Sequence, residues 1–222
     1  ARLPLSQLPE PVVRLFAEHV DELIRRLERQ LRRGKLDEKR VRAILENLHR
    51  SLQELAQVAG DQVLQANLQA ADLAVQQALA TLGPAFQSLG QVPNLERWRM
   101  AAQAAAAVAS REVGDLFQRL NRVTAREAER VLLTGVTAGL SPLVVGRELS
   151  RVLDVALWRG TTIARTEVLR AYRAATVAAY QQESWLVRGW RWHARLDGHT
   201  CAVCVLLHGQ TFDLAPPMET PP

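Results

Sequence analysis

The sequence predicts a mainly α protein, in which a long-helix N-terminal region is followed by a small C-terminal α+β module with a β-hairpin. Three observations predict this. Up to about residue 183, apolar residues recur at three- and four-residue steps, which is the period of a helix with one buried side. Proline and glycine gather at few places in that stretch, the clearest being "LGPAFQSLGQVPN" at 82–94. After Ser184 the texture changes to aromatic alternation, "WLVRGWRWHARL", followed by the turn dipeptide Asp197-Gly198.

The first helix is expected over 11–32, with Val12, Leu15, Phe16, Leu23, Leu27 and Leu31 near one stripe and an end at Gly34. Asp37 is a candidate N-cap for a second helix reaching about Leu82. Its seam of Val41, Ile44, Leu48, Leu52, Leu55 and Ala59 is heptad-like, with Gly60 a candidate interruption. Residues 61–91 hold no Lys or Arg and are rich in Ala, Gln and Leu, a composition suited to close packing between helices. Asn94 should cap a third helix, about 95–121. "TARE", Thr124–Glu127, reads as a capping box opening a fourth, which ends near Gly139. Ser141 and Pro142 read as cap and first residue of another. A last helix is expected over 158–183, with Val168, Ala171, Tyr172, Ala175 and Ala179 on its apolar side. Trp190, Trp192 and Ala194 alternate with Arg191, His193 and Arg195, a strand pattern. "CAVCVLLHG" is a short helical turn closed by Gly209, and "QTFDL" is the returning strand. The organisation is a helical arm or bundle over 1–93 and a second unit over 94–222. That unit has helices within 95–183, a hairpin at 188–214 and a Pro-rich tail at 215–222.

Apolar residues make up 48% of the chain and charged residues 23%, an ordinary globular composition. No stretch has the length and hydrophobicity of a membrane span, and residues 1–20 lack the basic-then-apolar pattern of a signal peptide. Two cysteines make no disulfide framework, so synthesis in a reducing compartment is expected. The net charge of +5 is unevenly spread. Residues 157–195 carry seven basic groups against Glu167 and Glu183. Arg159, Arg165, Arg170 and Arg173 fall on one side of the last helix, a candidate surface for DNA phosphates or an acidic protein partner, against the alternative of a solvated face.

The chemistry-bearing cluster is "LDGHTCAVCVLLHGQTF", 196–212. Cys201, Cys204 and His208 are spaced to share one side of a helix and are candidate zinc ligands, with Asp197, His199 and His193 as candidates for a fourth. The alternative is that both cysteines are small apolar residues buried under the hairpin. A thioredoxin-like redox pair would need a βαβ setting that the pattern does not offer. A zinc deaminase would need a Glu two residues after its His, where Arg195 follows His193. No phosphate-binding loop, nucleophile elbow or metalloprotease motif occurs, so no catalytic residue is assigned.

Three pieces in order carry a resemblance: "IARTEVLRAYRAATVAAYQQ", "RWHARLDGHTCAVCVLLHGQTF" and the Pro-rich run. Over about 125–212 the chain resembles the Mu F-like phage head morphogenesis proteins. The matching residues are Ala164, Arg165, Thr166 and Glu167; Trp192; Asp197, Thr200, Cys201 and Cys204; His208 and Gly209; and Phe212. The resemblance implies a non-enzymatic minor capsid protein, present in several copies inside the virion near the portal. It also implies contact with portal, scaffold or major capsid subunits, contact with packaged double-stranded DNA, and no membrane partner. The family commonly continues with an H-P-x-C-R-C segment not seen before Pro222: with such a segment Cys201 and Cys204 would be half of a four-ligand zinc site, and without it the pair is expected to be metal-free, the reading favoured for this chain. Asp197 is expected to accept backbone N–H groups in the turn, Thr200 to cap the short helix, and Arg165 and Glu167 to tie the long helix to the hairpin. An alternative reading is a delivery module for a toxin domain encoded downstream.

Overall fold

The computed structural model describes residues 7–32 and 37–214. Within them, six helices and two short strands follow in the order α1 (Glu10–Leu31), α2 (Glu38–Ser88), α3 (Leu95–Ala109), α4 (Val113–Thr137), α5 (Pro142–Gln181), β1 (Gly189–Arg191), α6 (Ala202–Leu207) and β2 (Thr211–Asp213). The mainly α class with a terminal hairpin is thus observed. The expected end at Gly34 and the Pro-rich tail at 215–222 lie outside the described residues.

Helix α2 is the spine. At ~1.5 Å rise per residue its 51 residues span about 76 Å. Asp37 caps it by accepting from the Arg40 N–H at 2.8 Å. The expected seam is buried, and Gly60 does not interrupt it: a Cβ there would lie 3.9 Å from the Gly114 Cα, so α2 and α4 cross closely at this point. Along the N-terminal half of α2, the cluster of Leu48, Leu52 and Val63 joins Phe16 and Leu27 of α1, Phe117 and Leu132 of α4, and Leu149 and Leu153 of α5. Burying each such side chain is worth ~1.5–3 kcal/mol, so this cluster is the main stabilising mass. In the charge-poor half the contact is made by small residues: Ala71, Ala74 and Ala78 of α2 meet Ala102 and Ala106 of α3 and Ala171, Ala175 and Ala179 of α5. Small side chains let three backbones approach closely, and Phe86 and Trp98 fill the end of the layer.

Three helix boundaries differ from the expected ones. Helix α2 continues through Gly83-Pro84 to Ser88 because Leu82 and Phe86, on either side, are buried, while Pro84 and Ala80 face solvent. Water can therefore satisfy the Ala80 carbonyl that proline leaves without a helical donor. The third break falls at Ser110–Glu112 and not before Thr124. Buried Ser110 donates to the Ala106 carbonyl at 2.6 Å and accepts from Asn67 Nδ2 at 2.7 Å, which fixes the chain to α2 as it bends. Thr124 is not a cap: it lies inside α4, buried, and donates back to the Leu120 carbonyl at 2.9 Å. Finally, residues 142–181 form one 40-residue helix, not two. Ser141 caps it, accepting from the Val144 N–H at 3.4 Å. At Gly160 the helix presents bare backbone to the Phe16 ring; an added Cβ would come within 2.6 Å of Phe16 Cζ.

Candidate functional site at the hairpin clasp

The end of α5 passes directly into the hairpin through a polar joint. Buried Glu183 accepts from Trp98 Nε1 at 2.8 Å and from Trp185 Nε1 at 2.7 Å. Beside it Arg97 Nε donates to Gln182 Oε1 at 2.7 Å. The carboxylate thus ties α3 to the turn that launches β1. Sequence reasoning counted Glu183 only as a charge. The signal available was an acid between a Gln-ended helix and Trp185, within reach of a second indole only once α3 had folded back.

Strands β1 and β2 pair antiparallel with Trp190 opposite Phe212. Their rings stack at 4.7 Å, and Trp192 lies 5.8 Å from Trp190. Gly189 has a steric reason: a Cβ there would fall 2.3 Å from the Phe212 carbonyl oxygen. The ladder extends one step, with the Gly209 N–H donating to the Trp192 carbonyl at 2.8 Å and the Trp192 N–H to the Gln210 carbonyl at 2.9 Å. Gly209 takes φ +81°, a backbone state that an L side chain rarely adopts. His193, Ala194 and Arg195, expected to continue the strand, leave it. The Ala194 N–H donates to His208 Nδ1 at 3.2 Å instead of to the opposite strand.

The turn between the strands is built on Asp197. Its Oδ1 accepts from the His199 N–H at 3.0 Å, and its own N–H donates to Thr200 Oγ1 at 3.1 Å. The Thr200 hydroxyl proton has the Arg195 carbonyl at 3.1 Å and Asp197 Oδ1 at 3.2 Å within reach. Thr200 therefore closes the turn, and Cys201 takes the cap position of α6: its Sγ accepts from the Cys204 N–H at 3.3 Å. Neither cysteine is buried. Cys201 is exposed and Cys204 half-buried, so the packing alternative fails for both. Hydrogen bonds from Cys204, first through its thiol and then through its backbone, hold the Cys201 thiol below its ordinary pKa; the same pairing raises Cys204, although the nearby Arg173 guanidinium opposes that rise.

A zinc ion needs four ligands. Among the described residues no three His, Cys, Asp or Glu side chains gather around one point. His208 spends Nδ1 on the Ala194 backbone and meets His193 edge-on at 5.5 Å. Cys201, Cys204 and His208 therefore do not make a closed donor set in this arrangement, and neither His193, His199 nor Asp197 completes one.

The four arginines on α5 do not form one uniform free surface. Arg165 pairs with Glu10 of α1 at 3.4 Å, and Arg170 with Glu167 at 3.2 Å. Arg165 and Glu167 thus serve the bundle and do not reach the hairpin. Burial raises the Glu167 pKa; Arg170 opposes the shift and Glu112 adds to it. Arg159 lines a groove of about 430 Å³ between α4 and α5, together with Arg130 and Arg151. Arg173 and Thr166 are exposed.

The segment from within α4 through the hairpin has a counterpart among known families. Residues 126–221 match the family model described as phage Mu protein F like protein. Over these residues the chain is similar to the phage Mu F-like family. No curated protein and no solved structure matches the chain. The matched segment takes in the C-terminal half of α4, all of α5 and the hairpin. Among the described residues no helix is long and apolar enough to cross a membrane.

Proposed function

We propose that this protein is a minor head protein that assembles in several copies on the portal inside the procapsid. The observation that carries the reading is the Mu F-like segment itself: its arginine-bearing α5 and clasped hairpin form one continuous element, from Ser141 to Leu214, held to the bundle through Glu183. The bundle docks to portal, scaffold or major capsid subunits, and the clasp sets the direction in which the hairpin projects. Exposed Val203, Val205 and Leu206 on α6, a helix with no buried residue, give the hairpin an apolar face for a partner. Arg159 and Arg173, which carry no ion pair among the described residues, face an acidic partner or packaged DNA. No cofactor and no catalytic residue enter this reading.

Purified particles and empty procapsids test it. The protein should be found in both and should co-purify with portal rings. Absence from particles would dispose of the proposal. Replacing Arg159 and Arg173 with Gln should weaken DNA retention and make it less sensitive to salt, the logarithmic slope falling by ~0.9 for each phosphate that is no longer neutralised. An unchanged salt slope would assign these arginines to a protein partner.

A further inference from the structure

We propose that Cys201 and Cys204 form a reversible dithiol–disulfide site, oxidised by a small disulfide of the glutathione class, which locks the first turn of α6 inside the hairpin. The inference does not depend on where the protein resides in a particle. Residues three apart on a helix hold their Cβ atoms ~5–6 Å apart, and a disulfide needs ~3.5–4.5 Å. Here Cys201 is the extended cap residue and not a helical one, with ψ 154°, and its sulfur already folds back over the turn to 3.3 Å from the Cys204 nitrogen. The thiols also differ in access, since Cys201 is exposed and Cys204 half-buried. The exposed sulfur, supported by a backbone N–H, is placed to be the attacking group, and the sheltered one to resolve.

The steps balance. The Cys201 thiolate attacks one sulfur of the small disulfide, whose S–S bond breaks and releases one thiolate. The Cys204 thiol then gives its proton to water and attacks Cys201 Sγ, displacing the second thiolate. The two protein thiols lose two electrons and two protons, and the small disulfide becomes two small thiols.

The experiment incubates the full chain with oxidised glutathione, then counts free thiols and measures intact mass. The expected result is a monomer with no free thiol and a mass lower by two hydrogens, restored by excess reduced glutathione. In Cys204→Ser the reaction should stop at one glutathione bound to Cys201. Cys201→Ser should take up glutathione at Cys204 more slowly. Three outcomes would overturn the proposal: disulfide-linked dimers in place of the internal bond, two glutathiones on one chain, or thiols that stay unreactive in wild type. Stoichiometric zinc released together with both thiols would also overturn it, in favour of a metal site.

Discussion

The joint at Glu183 makes a sharp prediction. Hydrogen bonds to a charged group contribute ~1.5–3 kcal/mol each, and Glu183 accepts two, from Trp98 and Trp185. The two are not equivalent. Trp98 is fully buried, so losing its acceptor leaves an indole N–H without water, at ~1–3 kcal/mol. Trp185 is 56% exposed and can turn to solvent. Glu183→Ala should therefore destabilise the protein by about 3–5 kcal/mol, a large share of the ~5–15 kcal/mol typical of a folded domain. Glu183→Gln keeps one acceptor oxygen but points an amide N–H₂ at the other indole, and should fall between Ala and wild type. Trp185→Phe removes one of the two donors to the carboxylate and should cost about 1.5–2 kcal/mol, less than Glu183→Ala because Trp98 keeps its acceptor. The assay is urea unfolding followed by far-ultraviolet circular dichroism, which reads the helices without depending on the tryptophans being removed. The hairpin should lose amide-exchange protection in Glu183→Ala before the bundle does. If Glu183→Ala cost no more than Trp185→Phe, the carboxylate would be a solvated surface group and the clasp would need another anchor.

Further predictions follow from the packing and the caps. Gly160→Ala should destabilise by about 1–2 kcal/mol in urea unfolding, despite alanine's better helix propensity, because the new Cβ meets a Phe16 ring that Phe117 backs at 5.9 Å. Gly114→Ala, with open space at its Cβ, should instead stabilise by ~0.5–1 kcal/mol. Asp37→Ala should cost ~1 kcal/mol when α2 loses its cap, read as a lower unfolding midpoint. Glu167 carries a raised pKa, so the native state holds its proton to higher pH than the unfolded chain does. Unfolding then releases protons just above the ordinary glutamate range, and this group's contribution to stability falls as pH rises through that window. Urea midpoints from about pH 4 to about pH 7 should therefore shift in favour of Glu167→Gln relative to wild type as pH rises.

Long apolar periodicity was readable in the sequence wherever one chemical reason acted alone. The α2 seam from Val41 to Ala59 is buried as its spacing requires, and Asp37, Asn94 and Ser141 cap the helices that follow them. Boundaries failed where tertiary packing outvoted local preference. Thr124–Glu127 has the residues of a capping box, but Thr124 points into the core, and Leu120, Ala125 and Ala128 around it are buried. The burial of that stretch outweighs the roughly 1 kcal/mol a cap would supply. Ser110, in an uncharged alanine run with no breaker residue, ends α3 because Asn67, 43 positions earlier, meets it there. At the candidate site, the DG turn and the paired centres of both strands were visible, since they rest on local turn chemistry and aromatic alternation, but the first strand stops at Arg191, short of the alternation that ran to Arg195. The distribution of ion pairs was not. Arg165 and Arg170 share a face with Arg159 and Arg173 on a helical wheel, but Glu10 lies 155 positions away from Arg165 in sequence. A wheel shows which side chains share a face and says nothing about which acids a neighbouring helix brings to it. A basic stripe read from sequence is therefore an upper bound on the charge left for a partner, and here ion pairing concentrates that charge at Arg159 and Arg173, the two ends of the stripe.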